Sequence, residues 1–225
     1  MLNPSRKILR KEIKKDPLLD YLEKIENGFE ENRKTIINGL IFFVAIIVTG
    51  SIYVNNQNDI ELESSSAFGA ALVAYSNSDY DNAKFQFESI SSNYEGTENE
   101  IFSNYYLGKI AYEVSKFDKA KFLLNDFLDN TKKSTFVCGA IKRLVDISFN
   151  ENDFLESLDI IARANNFDLN NISKLELKLL KINTLIRMND LQGAKIEIGK
   201  VLNSKDIPLH IEQKINEYEG LLLAF

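Results

Sequence analysis

Four copies of one residue pattern recur along this chain at a spacing of 37 residues. A column of small residues defines the register, and apolar residues fill the positions eight and three residues before it and four after it. The small residues are Ala83, Ala120, Ser157 and Ala194. Eight residues before them lie Tyr75, Tyr112, Phe149 and Ile186, and three before them lie Tyr80, Phe117, Phe154 and Leu191. Four residues after them lie Phe87, Leu124, Ile161 and Ile198. Such a period is typical of a repeat array, in which each unit must stack on its neighbours to bury its apolar face. Because repeat arrays mostly bind other proteins, the pattern favours binding over catalysis.

Each repeat predicts two helices. In the second copy, Leu107, Ile110 and Ala111 have helical apolar spacing, a break follows at residues 115–116, and Phe117 and Leu124 continue the spacing. Small residues at one repeated position allow the two helices to approach closely, and large apolar residues at the other repeated positions fill the space around them.

Helix start signals support the same division. An acceptor side chain precedes an acidic residue by three positions in four places: Thr97 and Glu100, Ser115 and Asp118, Asp153 and Glu156, and Ser173 and Glu176. Asp206 and Pro208 predict a last helix from Pro208 to about Ala224, which would cap the array.

The repeats resemble the tetratricopeptide repeat. The matching residues are best in the second copy: Tyr106-Leu107-Gly108, Ala111-Tyr112, Phe117, Ala120, Leu124 and Phe127. The resemblance covers residues 64 to about 203, although no copy keeps the large aromatic residue near the start of that repeat or the proline at its end. It implies an all-α fold, with an α-solenoid of about four helix pairs plus a C-terminal capping helix.

A long apolar segment precedes the repeats. No charged residue occurs from Thr35 to Asn58, and residues 36–54 are almost wholly apolar. As a helix, the 19 residues 36–54 would reach roughly 28 Å, close to the hydrocarbon thickness of a bilayer. The absence of a polar stripe disfavours a buried helix of a soluble domain, and the absence of a small-residue cleavage site disfavours a removable signal peptide. We therefore predict a permanent transmembrane helix.

The charges on either side of this segment predict its orientation. Residues 1–35 contain nine Lys or Arg residues, whereas the first charges after the span are Asp59, Glu61 and Glu63. Positive flanks stay in the cytoplasm, so the prediction is a single-pass protein with its N-terminus in the cytoplasm and its repeats on the other side of the membrane. Removing the nine basic and seven acidic residues of this tail from totals of 27 and 33 leaves 18 and 26, a net charge of −8. An acidic outer domain excludes nucleic acid as the partner.

The predicted organisation has four parts: a cytoplasmic tail (residues 1–35), a transmembrane helix (36–54), a linker (55–63) and a tetratricopeptide-repeat-like domain (64–225). Within the tail, Leu18, Leu22, Ile25 and Phe29 form one apolar stripe of a predicted helix. This helix is either a docking element or a short lead-in to the span without a dedicated partner. The basic run from Arg6 to Lys15 either contacts anionic lipid or only sets the topology.

The composition offers little for catalysis. The chain has one Cys, one His and no Trp. Cys138 lies in an apolar helical run, so we expect it to be buried, and His210 has no second His or Cys nearby to complete a zinc site. No phosphate-binding loop or nucleophile motif occurs. The sequence therefore predicts no enzyme, cofactor or metal site.

The candidate site is the inner face of the array, which first helices form in this repeat geometry. Aromatic residues grouped beside a Lys suit a groove that takes up an apolar or extended polypeptide. The predicted groove residues are Phe68, Tyr75, Phe102, Tyr105, Tyr106, Lys109 and Tyr112. The alternative is that such rings pack between helices; we favour the core for Tyr112 and Phe149, and the groove for Tyr105 and Phe102.

The whole layout resembles a bacterial inner-membrane family that includes the ancillary subunit of the SecYEG translocon. Short matches carry this resemblance in order: Tyr21-Leu22-Glu23-Lys24 and Glu30-Glu31-Asn32 before the span, Ser65-Ser66-Ala67, Ala70, Leu72, Ala74 and Tyr75 at the start of the array, and Gln213-Lys214-Ile215-Asn216 in the last helix. The resemblance implies a location in the bacterial inner membrane, with the repeats in the periplasm. It also implies contact with the translocon, envelope chaperones or secreted polypeptides.

Our leading hypothesis is a membrane-anchored adaptor that binds proteins. An alternative is a structural organiser of envelope, division or outer-membrane assemblies. A third is an organelle import receptor with cytosolic repeats, which the flanking charges oppose. The oligomeric state stays open.

Overall fold

The computed structural model describes residue 21 and residues 32–223, apart from the side chains of residues 52, 53 and 55. From residue 32 onward, it contains nine α-helices, one short 3-10 helix and no β-strand. The α-helices are α1 Arg33–Ser76, α2 Tyr80–Asn93, α3 Glu98–Glu113, α4 Phe117–Asn130, α5 Val137–Asn150, α6 Phe154–Ala162, α7 Asn171–Arg187, α8 Leu191–Leu202 and α9 Leu209–Leu223; the 3-10 helix is Arg163–Asn166. The predicted all-α fold is confirmed. The predicted helix around residues 18–29 lies outside the described residues, Tyr21 excepted.

The 37-residue register corresponds to four helix pairs. The pairs are the end of α1 with α2, then α3 with α4, α5 with α6, and α7 with α8. All four residues of the small column have 0% exposure, because each lies where the helices approach most closely. Ser157 fits this column because its hydroxyl donates a hydrogen bond to the backbone oxygen of Asp153 at 2.9 Å. The predicted solenoid is therefore confirmed.

The turn inside each pair has the same backbone form in all four copies. Its left-handed residue recurs every 37 residues: Ser78, Ser115, Asn152 and Asn189, with φ between 56° and 63°. The next residue donates its N–H to the carbonyl five residues earlier, as Asp79 does to Ala74 at 3.0 Å and Asp190 to Leu185 at 2.9 Å. This is the Schellman ending of a helix, which satisfies the last carbonyl groups and reverses the chain. The repeat therefore includes the turns as well as the helix faces.

Two of the four predicted helix starts are confirmed. Thr97 accepts a hydrogen bond from the N–H of Glu100, and Asp153 accepts one from the N–H of Glu156. The prediction at Ser115 is wrong, because Ser115 is the left-handed turn residue and Lys116 occupies the N-cap position without a side-chain bond. The prediction at Ser173 is also wrong, since Asn170 caps α7 and accepts from the N–H of Ser173 at 2.8 Å.

Helix α9 closes the array, as the sequence predicts. It begins at Leu209, and its side chains Ile211 and Ile215 have 0% exposure because they pack on the last pair. A terminal helix of this kind covers the apolar face that a further repeat would cover.

The chain divides into two compact units, Met1–Asn58 and Asp59–Phe225. Within the first unit, the residues of α1 that were predicted to span a membrane have exposed apolar side chains, such as Leu40 and Phe42. Among the described residues, α1 is the one helix long and apolar enough to cross a membrane, with a mean hydropathy of 2.2 in its most apolar window. Helix α1 also includes residues 55–63, so the segment that we expected to be a linker is helical.

Candidate protein-binding surface

The first helices of the pairs form one continuous wall of the repeat unit. Helix α3 contacts α5, α5 contacts α7, and α7 contacts α9. The second helices are joined mainly by long side chains, as in the Lys119–Glu88 ion pair at 3.3 Å between α4 and α2. Because backbones approach more closely along the first helices, these helices form the inner wall of the stack.

Aromatic rings dominate the start of this wall. Tyr106 stacks on Phe87 with 5.0 Å between ring centroids, and Phe68 meets Tyr106 edge-on at 5.9 Å. Tyr75 contacts Tyr106 in the same manner at 5.2 Å. Phe68, Tyr75 and Tyr106 are all half-buried, and all three pack against one core cluster that includes Ala71 and Phe87. Three of the seven predicted groove residues thus meet in space across the first two pairs.

Tyr105 is the exception among the seven predicted groove residues. It is only 6% exposed and belongs to the core that α3, α4 and α5 share. Its ring stacks on Phe136 at 4.7 Å, and burial raises the pKa of its hydroxyl. The structure therefore places Tyr105 inside the core, not on the surface that we expected. The reason is that Phe136, from the loop before α5, covers its outer face.

Phe102 and Tyr112 are half-buried like the other rings. Phe102 meets the same Phe136 edge-on at 5.6 Å. Tyr112 packs on Phe117 across the turn at 6.0 Å, and its hydroxyl donates to Asp146 Oδ2 at 3.5 Å. Both residues therefore contribute to the core and to the inner wall.

A cation lies over an aromatic ring at each step between pairs. Lys109 Nζ lies 4.7 Å from the centroid of Tyr75. The guanidinium carbon of Arg143 lies 5.9 Å from Tyr112, and that of Arg187 lies 4.6 Å from Phe149. The three rings belong to one column of the repeat, eight residues before the small residues, whereas the three cations come from different positions of their first helices.

Sequence reasoning named Lys109 but missed Arg143, Arg187 and Phe136. One signal was available for Arg143, which follows Tyr106 by 37 residues and so occupies the same position of its first helix. Phe136 lies in a loop with φ of 67°, where helical periodicity carries no information. Arg187 occupies the last turn of α7, and only the stacking of the pairs places it over Phe149.

The wall continues as an open cavity of about 400 Å³ against α5, α7 and α9. Its lining residues are Lys142, Asp146, Glu176, Leu179, Leu180, His210, Ile211, Lys214 and Tyr218. Lys142 forms an ion pair with Glu176 at 2.8 Å. Burial raises the pKa of the neighbouring Cys138 thiol to about 11, so the thiol stays protonated at neutral pH.

The surface is suited to non-covalent binding. Within the part of the chain that the structure describes, no group of three or more His, Cys, Asp or Glu side chains could hold a metal ion. Half-buried rings with adjacent cations provide apolar contact area and fixed positive charge at the same place.

These features define a class: an α-solenoid of stacked helix hairpins, whose inner wall here consists of half-buried rings beside cations. The sequence matches the model of the tetratricopeptide repeat-like domain over residues 28–174, which is more than half of the chain. The chain therefore belongs to the tetratricopeptide repeat-like family, whose domains generally mediate protein–protein interaction. Comparison with curated proteins finds no match. The family match does not specify a translocon subunit.

Proposed function

We propose that this protein is a membrane-anchored adaptor that binds other proteins through the inner wall of its repeats. The observation that carries the proposal is the continuous wall of first helices, on which half-buried rings lie beside cations. The candidate contact residues are Phe68, Tyr75, Phe102, Tyr106, Lys109 and Tyr112. The family supports a binding role, because its repeats are interaction modules and are typically not enzymes.

The apolar segment of α1 supports membrane anchoring. A helix that exposes Leu, Ile and Phe side chains on all its faces is stable in lipid, whereas exposing those side chains to water costs free energy. The nine basic residues before it and the acidic residues after it favour extracytoplasmic repeats, and the resemblance of the whole layout favours the bacterial inner membrane. Anchoring confines the adaptor and its partners to one membrane, which raises their effective concentration and allows weak contacts to suffice.

Cysteine labelling tests this topology. The single native Cys138 reacts slowly because its thiol is protonated and half-buried, so an added cysteine dominates the signal. We expect a membrane-impermeant maleimide to label Ser92→Cys, an exposed site on α2, in intact spheroplasts. Ser5→Cys should require detergent. The reverse pattern would place the repeats in the cytoplasm and support an import-receptor arrangement.

Photo-cross-linking tests the binding surface. A photoreactive amino acid at Lys109 or Tyr112 should capture polypeptide in living cells, whereas the same group at Lys195, an exposed residue of α8, should capture little. We expect translocon components, envelope chaperones or secreted polypeptides among the products, as the family resemblance implies. Equal capture from all three positions would argue against a dedicated inner-wall site.

A deletion strain separates this role from the alternative of an envelope organiser. Delayed secretion of exported proteins is expected for an adaptor at the translocon. Cell chaining or leakage of periplasmic contents, without a secretion delay, would support a role in division or outer-membrane assembly instead.

A further inference from the structure

The second helices of neighbouring pairs are bridged by ion pairs at the first two steps of the array, but not at the third. Lys119 of α4 contacts Glu88 of α2 at 3.3 Å, and Lys121 of α4 contacts Glu156 of α6 at 3.2 Å. Among the described residues, no ion pair or side-chain hydrogen bond joins α6 to α8.

The repeat register explains this difference. Glu88 follows the small residue of its pair by five positions, and Lys119 precedes that of the next pair by one. The equivalent positions at the third step are Ala162 and Gly193. Neither residue has a side chain long enough to reach the facing helix, so the gap between α6 and α8 stays open.

A cavity of about 840 Å³ lies at this gap, between α6, the 3-10 helix, α7 and α8. Its apolar lining includes the buried side chains Ile161, Leu169 and Leu177 and the half-buried ring of Phe167. The volume falls in the range of about 300–1,000 Å³ that is typical of small-molecule sites. The cavity shares no lining residue with the one on the inner wall, so it is a second, separate candidate site.

Four lysines line the same cavity: Lys174, Lys178 and Lys181 of α7, and Lys200 of α8. The three lysines of α7 lie on one face of the helix, because they are four and three residues apart. The carboxylates of the lining are Asp159 and Glu197, so four positive side chains face two negative ones. This excess of positive charge occurs although the chain beyond residue 35 carries a net charge of −8.

Two of these lysines are available to a ligand. Lys181 and Lys200 both contact Glu197 at 2.8 Å. Lys174 lies 3.7 Å from Asp168, whose side chain is fully exposed, and Lys178 has no carboxylate oxygen of the described residues within 4.0 Å. Lysines of the open surface also lack such a partner, but Lys178 differs from them because it borders an apolar cavity.

We propose that this lysine-lined cavity binds an anionic amphiphile, with one acyl chain on the apolar lining and a carboxylate or phosphate head group at Lys174 and Lys178. A small hydrophilic anion would leave the apolar lining uncovered, and an uncharged hydrocarbon would leave the lysines without a counter-charge. The alkyl stems of the lysines extend the apolar surface for the chain. Fatty acids and lysophospholipids share this chemistry.

Photo-cross-linking of the full-length protein tests the inference. The protein is placed in nanodiscs of zwitterionic lipid with a fatty acid that carries a photoreactive group in its chain, and labelled peptides are mapped by mass spectrometry. We expect label within residues 154–181 as well as in the apolar segment of α1. Excess unlabelled fatty acid should remove the first label and leave the second, because a binding site saturates whereas contact with bilayer lipid does not.

Competitors identify the head group. Unlabelled fatty acid and lysophosphatidylglycerol of the same chain length should both compete for the label at the cavity, and the stronger competitor shows whether carboxylate or phosphate is preferred. A neutral monoacylglycerol of that chain length should compete about tenfold less well, because it makes no charge-assisted contact with the lysines.

Matched variants locate the site. K174Q with K178Q should weaken the saturable labelling by about tenfold, because two charged contacts are lost. A162W should weaken it without changing the charge, since the large ring fills the gap from an exposed position. K195Q with K205Q removes the same total charge from exposed lysines of α8 and the following loop, and should leave labelling unchanged. Circular dichroism confirms that the variants keep their helix content.

Three results would overturn the inference: no saturable label within residues 154–181, equal competition by the monoacylglycerol, or equal loss of label in both double lysine variants. None of them bears on the proposed function, because the lysine-lined cavity and the inner wall use different residues. Cross-linking from Lys109 tests that function separately.

Discussion

At the scale of single residues, the closest helix approach in the second pair depends on Gly108. A Cβ atom added there would lie 2.8 Å from Leu124 Cγ and 3.3 Å from Leu123 Cβ. Both leucines are buried, so neither has free space into which it can move. The absence of a side chain at Gly108 therefore allows α3 to pack closely on α4, next to the small residue Ala120.

Gly108→Ala should destabilise the protein by about 1–3 kcal/mol, because the added methyl overpacks the contact with Leu124. The matched control is Gly220→Ala in α9, where a Cβ meets nothing within 4 Å. That substitution should stabilise by about 0.5–1 kcal/mol, because alanine is the better helix former. Urea denaturation of the two variants measures both effects. Equal effects of the same sign would contradict the packing argument.

Glu197 is a buried carboxylate that joins two helices. It is 7% exposed and accepts from Lys181 of α7 and Lys200 of α8, both at 2.8 Å. Burial acts to raise its pKa, but the hydrogen bonds from the two lysines outweigh it and hold the pKa below the ordinary value of 4.5. Because the folded-state pKa is depressed, the stabilisation is complete above pH 4.5 and is lost as the pH falls through the folded-state pKa.

Glu197→Gln should cost about 1–3 kcal/mol at pH 7, because Lys181 and Lys200 lose their shared carboxylate. The difference in stability between wild type and variant should shrink as the pH is lowered below about 4.5. Urea midpoints measured across pH give this difference. Glu212→Gln, at an exposed position of α9, is the control. A difference that stays constant with pH would show that the ionised form of Glu197 contributes nothing.

At the scale of elements, the turns inside the four pairs have the same backbone conformation, but one of them lacks the side-chain hydrogen bond that caps the following helix. The residues at the N-cap position have nearly the same dihedral angles: Asp79, Lys116, Asp153 and Asp190, with φ between −83° and −93° and ψ between 67° and 82°. The three aspartates accept a hydrogen bond from the N–H three residues later, whereas Lys116 makes no side-chain cap bond. The start of α4 is therefore incompletely capped.

Lys116→Asp should stabilise the protein by about 1 kcal/mol, because a carboxylate at this backbone geometry caps α4 and interacts favourably with its dipole. Lys116→Ala is the control, since it removes the positive charge without adding an acceptor. Thermal unfolding of both variants measures the gain. If Asp and Ala give the same midpoint, the effect comes from charge removal and the capping explanation is wrong.

At the scale of the repeat array, neighbouring helix pairs stabilise one another because they share hydrophobic cores. The last pair depends on α9, whose Ile215 has 0% exposure against a cluster that includes Ile182 and Ala194. In an array of this kind, each pair is stabilised mainly by its immediate neighbours. Loss of packing at α9 should therefore affect the nearby helices first.

Ile215→Ala should cost about 2–5 kcal/mol by leaving a cavity in this core. Native-state hydrogen exchange should show lost protection in α7, α8 and α9 while α2, α3 and α4 stay protected. Asn216→Ala, the exposed neighbouring residue, should change neither. Uniform loss of protection along the array would mean that the pairs unfold as one cooperative unit.

The helix pairs could be predicted from sequence because their signal is local and repeated. Apolar spacing, small columns and the period located four pairs, and Asp206 with Pro208 marked the start of the capping helix. Helix starts were less predictable. Ser115 is taken up by the left-handed turn, which leaves Lys116 at the N-cap position, and Asn170 caps α7 three residues before Ser173. Several residues near a helix start are able to cap it or turn the chain, and the turn geometry decides between them. The choice between core and surface was hardest for aromatic residues, because the same ring type serves both.

The sequence by itself determined the repeat, its helix pairs, the apolar segment before it and the sign of the charges on each side, since all of these depend on composition and spacing along the chain. Only the tertiary structure decided that Tyr105 is covered by Phe136, and that Arg143 and Arg187 lie over rings of the preceding pair. Those contacts join residues of different helices and loops, and they depend on how neighbouring pairs stack, which no periodicity within one pair specifies.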